Sequence, residues 1–99
     1  MTGSAVKQYM VIERFKGGAA AAVYGRFRER GRLAPDGLTY VDSWVDDTLK
    51  ICFQLMTTDR PELFDAWIAR WSDLVDFEVY PVIPSRVAAA RALGEESSA

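Results

Sequence analysis

The chain contains no histidine and no asparagine. The first absence removes the side chain that most often serves as a general base at neutral pH and as a transition-metal ligand. It also excludes every Ser–His and Cys–His nucleophile arrangement. Cysteine occurs once, at Cys52, so no intrachain disulfide can form, and a reducing compartment is expected. There is no apolar run of about eighteen residues and no basic-then-apolar leader, so neither a membrane span nor a signal peptide is expected and the cytoplasm is the expected location. The net charge of −2 is too small to steer nucleic acid. The one basic run, Arg26, Arg28, Arg30 and Arg32, is diluted by Glu29 and reads as a solvated helix end, where cations suit the macrodipole.

What is present describes an ordinary globular chain. Its 99 residues are 49% hydrophobic and 26% charged, enough for one domain with a single core. Residues 7–83 are expected to form the core, 84–94 a tail helix, and 1–5 and 95–99 disordered ends.

Lys7–Phe15 alternates as a strand and is broken by Gly17-Gly18. Ala19–Arg32 has helix propensity, with Ala20, Val23, Phe27 and Tyr24 as its apolar stripe. Gly25 inside it suggests close approach to a sheet, and Gly31 can end it in a left-handed conformation. Leu38–Val45 and Leu49–Met56 read as a hairpin across the polar turn at Asp46-Asp47-Thr48. Asp59 is an N-cap candidate for a helix reaching about Val75, with apolar positions at Leu63, Phe64, Trp67, Ile68, Trp71 and Leu74. Asp76–Val82 is the last strand, where Pro81 suits a strand end or a sheet edge. Arg86–Leu93 is a short tail helix. The order strand, helix, strand, strand, helix, strand predicts the split βαβ class: α+β and ferredoxin-like, with a four-stranded antiparallel sheet and two helices on one face.

The strands are apolar on both sides. If Met10, Ile12, Ile51, Phe53, Leu55, Phe77 and Val79 meet the helices, the opposite face carries Tyr9, Val11, Glu13, Tyr40, Asp42, Trp44, Cys52, Gln54, Met56, Glu78, Tyr80 and Val82. Such a face is too aromatic to be left wet. A second copy packed sheet against sheet is the expected cover, and would build a barrel-like homodimer. The ligand-cavity candidates are then Tyr9, Glu13, Tyr40, Asp42, Trp44, Cys52, Gln54, Met56, Glu78 and Tyr80, lining a mostly apolar space. Glu13, Asp42 and Glu78 are the candidate catalytic acids or bases, since desolvation would raise their pKa values. The plainer alternative is that these polar groups hydrogen-bond one another or pair across the dimer. Trp44 reads as an interface anchor, and Cys52 as a small buried hydrophobe with no basic partner to activate it. Asp42, Asp46 and Asp47 raise the question of a hard cation, but turns favour Asp for their own reasons. No metal and no cofactor is expected.

Met10–Phe15, Tyr40–Val45, Cys52–Met56 and Trp67–Val82 resemble an uncharacterised family of small bacterial proteins, the domain-of-unknown-function family 3303. The resemblance covers about residues 9–83. It implies a ferredoxin-like fold in the dimeric α/β-barrel superfamily, and no particular activity. That superfamily includes cofactor-independent monooxygenases, lactone isomerases, haem enzymes and stress-response proteins. The quinol-type monooxygenases use an Asn, Trp and His set and the haem branch a histidine ligand, so the lack of both residue types here disfavours both. Two functions stay open: a homodimer that binds a small apolar or aromatic ligand, and a cofactor-independent monooxygenase or isomerase-like enzyme using buried carboxylates. The expected partners are a second copy of the chain and a small molecule, with neither nucleic acid nor membrane.

Overall fold

The structure is a computed structural model and describes residues 5–95; of the ends expected to be disordered, 1–5 and 95–99, residues 1–4 and 96–99 lie outside the described residues. The element order is β1 (Lys7–Phe15), α1 (Ala20–Arg30), β2 (Thr39–Val45), β3 (Ile51–Thr58), α2 (Leu63–Ala69), β4 (Val75–Val82) and α3 (Ser85–Ala92). One four-stranded sheet has the order β2-β3-β1-β4, and every pairing is antiparallel. This is the ferredoxin-like α+β fold. The order makes β4 an edge strand, which accommodates Pro81 and its missing N–H.

The boundaries follow local chemistry. Strand β3 begins at Ile51 rather than Leu49, because Leu49 takes a left-handed φ of 62°. Asp46 builds that turn, its carboxylate accepting from the backbone N–H groups of Lys50 (2.9 Å) and Ile51 (2.7 Å). Helix α1 ends at Arg30, two residues short of Arg32. Gly31, with φ 74°, donates its N–H to Phe27 O at 2.7 Å, and Arg32 continues into the following loop. Helix α2 is shorter than its apolar stripe. Asp59 does not cap it, and 3₁₀-type bonds continue it, including Arg70 N to Trp67 O and Trp71 N to Ile68 O, both at 3.0 Å. Gly25 does not approach the sheet, since a Cβ there would meet nothing within 4 Å.

The core lies between the sheet and helices α1 and α2. It gathers Tyr9, Val11, Val23, Leu38, Met56, Phe64, Trp67, Trp71 and Val75. Tyr9 packs edge-on to Phe64 with centroids 5.2 Å apart, and Trp67 does the same to Phe77 at 5.5 Å.

The expected face assignment is therefore reversed on two strands. On β1, Tyr9, Val11 and Glu13 face the helices, and Met10 and Ile12 do not. On β3, Cys52, Gln54, Met56 and Thr58 are buried there, while Ile51, Phe53 and Leu55 point away. Alternation gives only the parity within each strand. Both sets on each strand are apolar enough for a core, so the helix-facing set is decided by packing. On β4 the expected assignment holds, with Phe77 and Val79 packed on the core and Glu78 and Tyr80 exposed.

Strand β2 contains a further reversal. Tyr40 pairs with Met56 but Asp42 pairs with Leu55, so Val41 is an extra residue at a bulge. Tyr40 and Asp42, two apart in sequence, consequently fall on opposite faces: Tyr40 on the helix side, Asp42 with Trp44 on the open side.

Candidate functional site

The register sets Glu13 on the central strand β1 between Cys52 of β3 and Phe77 of β4. Gln54 is two residues along β3, on the same buried face. These are polar side chains inside an otherwise apolar layer, 7% and 5% exposed. Beside them is a cavity of about 100 Å³, open to solvent on one side. Glu13, Cys52, Gln54 and Ser43 form its sheet wall, Val23, Tyr24 and Phe27 its α1 wall, and Trp67 of α2 and Trp71 of the turn after it close it. Tyr24 and Phe27 are 42% and 41% exposed and make the rim.

Arg32 enters this cavity from the loop after α1. Its backbone is clamped: Trp67 Nε1 donates to Arg32 O at 3.0 Å and Trp71 Nε1 donates to the same oxygen at 2.9 Å. Arg70 Nη1 donates to the next carbonyl, Leu33 O, at 2.6 Å. The guanidinium stacks over Tyr40, 3.6 Å from the ring centroid, and lies 5.1 Å from that of Phe27. The bulge at Val41 is what brings Tyr40 to this side, where its hydroxyl meets Ser43 Oγ at 2.9 Å.

Three side chains form a directed hydrogen-bond chain. Arg32 Nε donates to Gln54 Oε1 at 2.6 Å. An arginine can only donate, so this bond fixes the amide and turns Gln54 Nε2 towards the carboxyl, where it donates to Glu13 Oε2. Oε2 is thereby held as an acceptor. Among the described residues, Oε1 of Glu13 has no hydrogen bond, and no buried side-chain oxygen is left unsatisfied. Oε1 is therefore open to the cavity that Glu13 lines. When the carboxyl binds a proton, Oε1 carries it, facing the cavity.

The electrostatics follow from burial. Desolvation pushes the Glu13 pKa up to about 7, against the smaller lowering effects of the Gln54 hydrogen bond and the Arg32 charge. Arg32 makes no ion pair with Glu13; the Gln54 amide stands between them. The Cys52 thiol is pushed up to about 12, chiefly by burial and then by the Glu13 charge, so it is a poor nucleophile. The arrangement supplies one carboxyl able to give or take a proton near neutrality, beside a cation and an apolar wall.

The expected candidates are thus divided. Glu13, Cys52 and Gln54 line the cavity, and Tyr40 stacks on the arginine at its edge. Tyr9 and Met56 are core residues, 8% and 0% exposed. Asp42, Trp44, Glu78 and Tyr80 lie on the opposite face of the sheet. There Glu78 pairs with Arg14 at 3.2 Å, and Asp42 accepts from the Ser43 N–H at 2.8 Å. Neither Asp42 nor Glu78 joins Glu13. Arg32 and the two indoles that hold it were legible only as a solvated helix end and as core. The signal that points to them is a Glu and a Gln on apolar strands, which need a polar partner once buried.

Among the described residues no helix is long and apolar enough to cross a membrane, and no group of three or more His, Cys, Asp or Glu is placed to hold a metal ion. No curated protein and no solved structure matches the chain. The model of one sequence family matches residues 7–96, nearly the whole chain, and the protein belongs to that family, described as Domain of unknown function (DUF3303).

Proposed function

We propose that the protein binds a small, largely apolar molecule carrying one polar group in the cavity between the sheet and α1, with Glu13 as the group that meets the ligand. The single observation that carries this is the open oxygen of a buried carboxyl at the wall of an apolar cavity. The cavity of about 100 Å³ is open on one side, so a single ring, which an enclosed apolar cavity of about 150 Å³ admits, fills it and extends through the opening. This moves the ligand site from the sheet-to-sheet space expected on sequence to the interior of one protomer. Trp67 and Trp71 in the wall supply the readout. Single-ring probes such as phenol and cyclohexanone should change tryptophan emission and raise the melting temperature. Val45→Phe, at a cavity-lining position, should abolish both effects. Saturable binding that persists unchanged in Val45→Phe would place the ligand elsewhere.

The same carboxyl supports a second reading, acid–base catalysis on that ligand, because a pKa near 7 is suited to proton transfer in both directions. Stereospecific exchange of an acidic ligand C–H with deuterated solvent, lost in Glu13→Gln, is its test.

The open face of the sheet supports homodimerisation. Cross-strand rows Trp44–Phe53–Ile12–Glu78 and Asp42–Leu55–Met10–Tyr80 place apolar side chains at the centre and carboxylates at the edges. Trp44 and Tyr80 are half exposed in the single chain. An apolar centre with a charged rim is the anatomy of a protein interface. A second copy in isologous contact covers both patches at once.

A further inference from the structure

We infer that the molecule bound in this cavity is a small monocarboxylate, its anionic group held by the terminal guanidinium nitrogens of Arg32 and its apolar body lying along Phe27 and Val23. This rests on the cavity being a ligand site, and adds to it the charge and chemical class of the ligand.

The first support is the state of Arg32. Arg14, Arg26 and Arg60 each have a carboxylate partner, Glu78, Asp73 and Asp59. Arg70 is spent on a backbone carbonyl, and Arg28 and Arg30 are exposed on α1. Arg32 is partly buried, yet among the described residues it has no ion pair, and only its Nε is engaged. A guanidinium held over the Tyr40 ring, with its backbone clamped by two indoles, has already lost much of its side-chain freedom. Its remaining N–H groups present a fork that matches a carboxylate.

The second support is the interposed amide. A direct Glu13–Arg32 pair would neutralise both groups and close the site. Gln54 instead takes one donor from Arg32 and gives one to Glu13, leaving the cation available and the carboxyl without a counter-ion. An anion arriving at Arg32 sits near Glu13 and disfavours its ionised form. Oε1 then carries a proton towards the bound carboxylate. The other titratable neighbours do not oppose this: from β3 the Cys52 thiol, from α1 the Tyr24 phenol, whose pKa is also raised, are neutral at pH 7. Packed against the cavity from α2 and the turn after it are the indoles of Trp67 and Trp71, from β2 Ser43 and Val45 with the Tyr40 phenol at the edge, and from β4 the paired residue is Phe77. Binding is therefore coupled to uptake of a proton by Glu13.

Calorimetric titration of the wild-type protein with benzoate and phenylacetate, and with benzamide and phenylacetamide as neutral isosteres, is the test. It is run at pH 8 in two buffers of different ionisation heat. The carboxylates should bind about tenfold tighter or better than the amides, as expected for charge-assisted bonds. Their binding should take up protons, seen as a difference in apparent enthalpy between the two buffers, and Glu13→Gln should remove that uptake. Arg32→Gln, with its fold checked by circular dichroism, should erase the preference for the anion. Equal affinity for acid and amide in the wild type, or anion binding with no proton uptake, would overturn the inference while the cavity stands as a ligand site. If no single-ring compound of either charge binds, both fall.

Discussion

Glu13 makes stability depend on pH in a window where little else titrates. Its carboxyl binds its proton up to about pH 7 in the folded state, against an ordinary value of 4.5. Between those values the folded chain holds more protons than the unfolded one, so stability falls as pH rises, and levels off above about 7. At roughly 1.4 kcal/mol per pKa unit, a rise from 4.5 to about 7 amounts to roughly 3 kcal/mol lost across the window. For a domain of this size each 1 kcal/mol moves the melting temperature by about 4–8 °C, so the midpoint should fall by roughly 12–24 °C. The window is clean because the chain has no histidine. Asp46 and Asp73 have lowered pKa values and lose their contribution only in more acidic solution, while Cys52 titrates far above it. Glu13→Gln keeps an acceptor for Gln54 Nε2 and removes the charge. It should flatten the dependence and be more stable than the wild type at pH 8. Urea melts at half-unit steps from pH 4.5 to 8 measure this. A wild-type profile that is flat, or one whose slope survives in Glu13→Gln, refutes the reasoning.

Five further outcomes follow from the same geometry. Trp71→Phe removes one of two N–H donors to Arg32 O and should cost about 1–3 kcal/mol in urea unfolding. Gly25→Ala should stabilise α1 by about 1 kcal/mol because its Cβ meets open space. Gly37→Ala should cost about 1–3 kcal/mol, since φ is 96° and the new Cβ would come 2.6 Å from Arg60 Nη2 and 3.0 Å from Leu63 Cδ1. If the open face is the seam of the proposed homodimer, Phe53→Glu at its centre should leave the fold intact by circular dichroism and lower the light-scattering mass at micromolar concentration to that of a single chain. Cys52 should resist alkylation by iodoacetamide at pH 8 until the protein is unfolded, consistent with a thiol pushed up to about 12.

The element order was legible because each segment carries its own punctuation: Gly17-Gly18 after β1, Gly31 after α1 and Asp46 in the hairpin turn. The site was only half legible. Glu13, Gln54 and Cys52 stood out as polar or reactive groups on apolar strands, but their face could not be read. Tyr9-Val11 and Met10-Ile12 are equally good core sets, and burial against Phe64 and Trp67 decides between them. Polarity pointed the wrong way, because Glu13 is buried with a partner supplied from far along the chain. Gln54 is 41 residues from it, and Arg32 lies between the two, 22 residues before Gln54. Tyr40 was misplaced for a different reason: a bulge at Val41 breaks the alternation, and no residue type there announces it.

Glu13 is a buried carboxyl, kept from Arg32 by Gln54 and open to the cavity through one oxygen. Carbon-13 NMR titration of the glutamate side-chain carboxyls, with Glu13→Gln to assign the resonance, measures this directly. A midpoint near pH 7 for Glu13 is the predicted result; a midpoint in the ordinary glutamate range near 4.3 would mean the carboxyl is solvated or ion-paired, and would contradict the site as described.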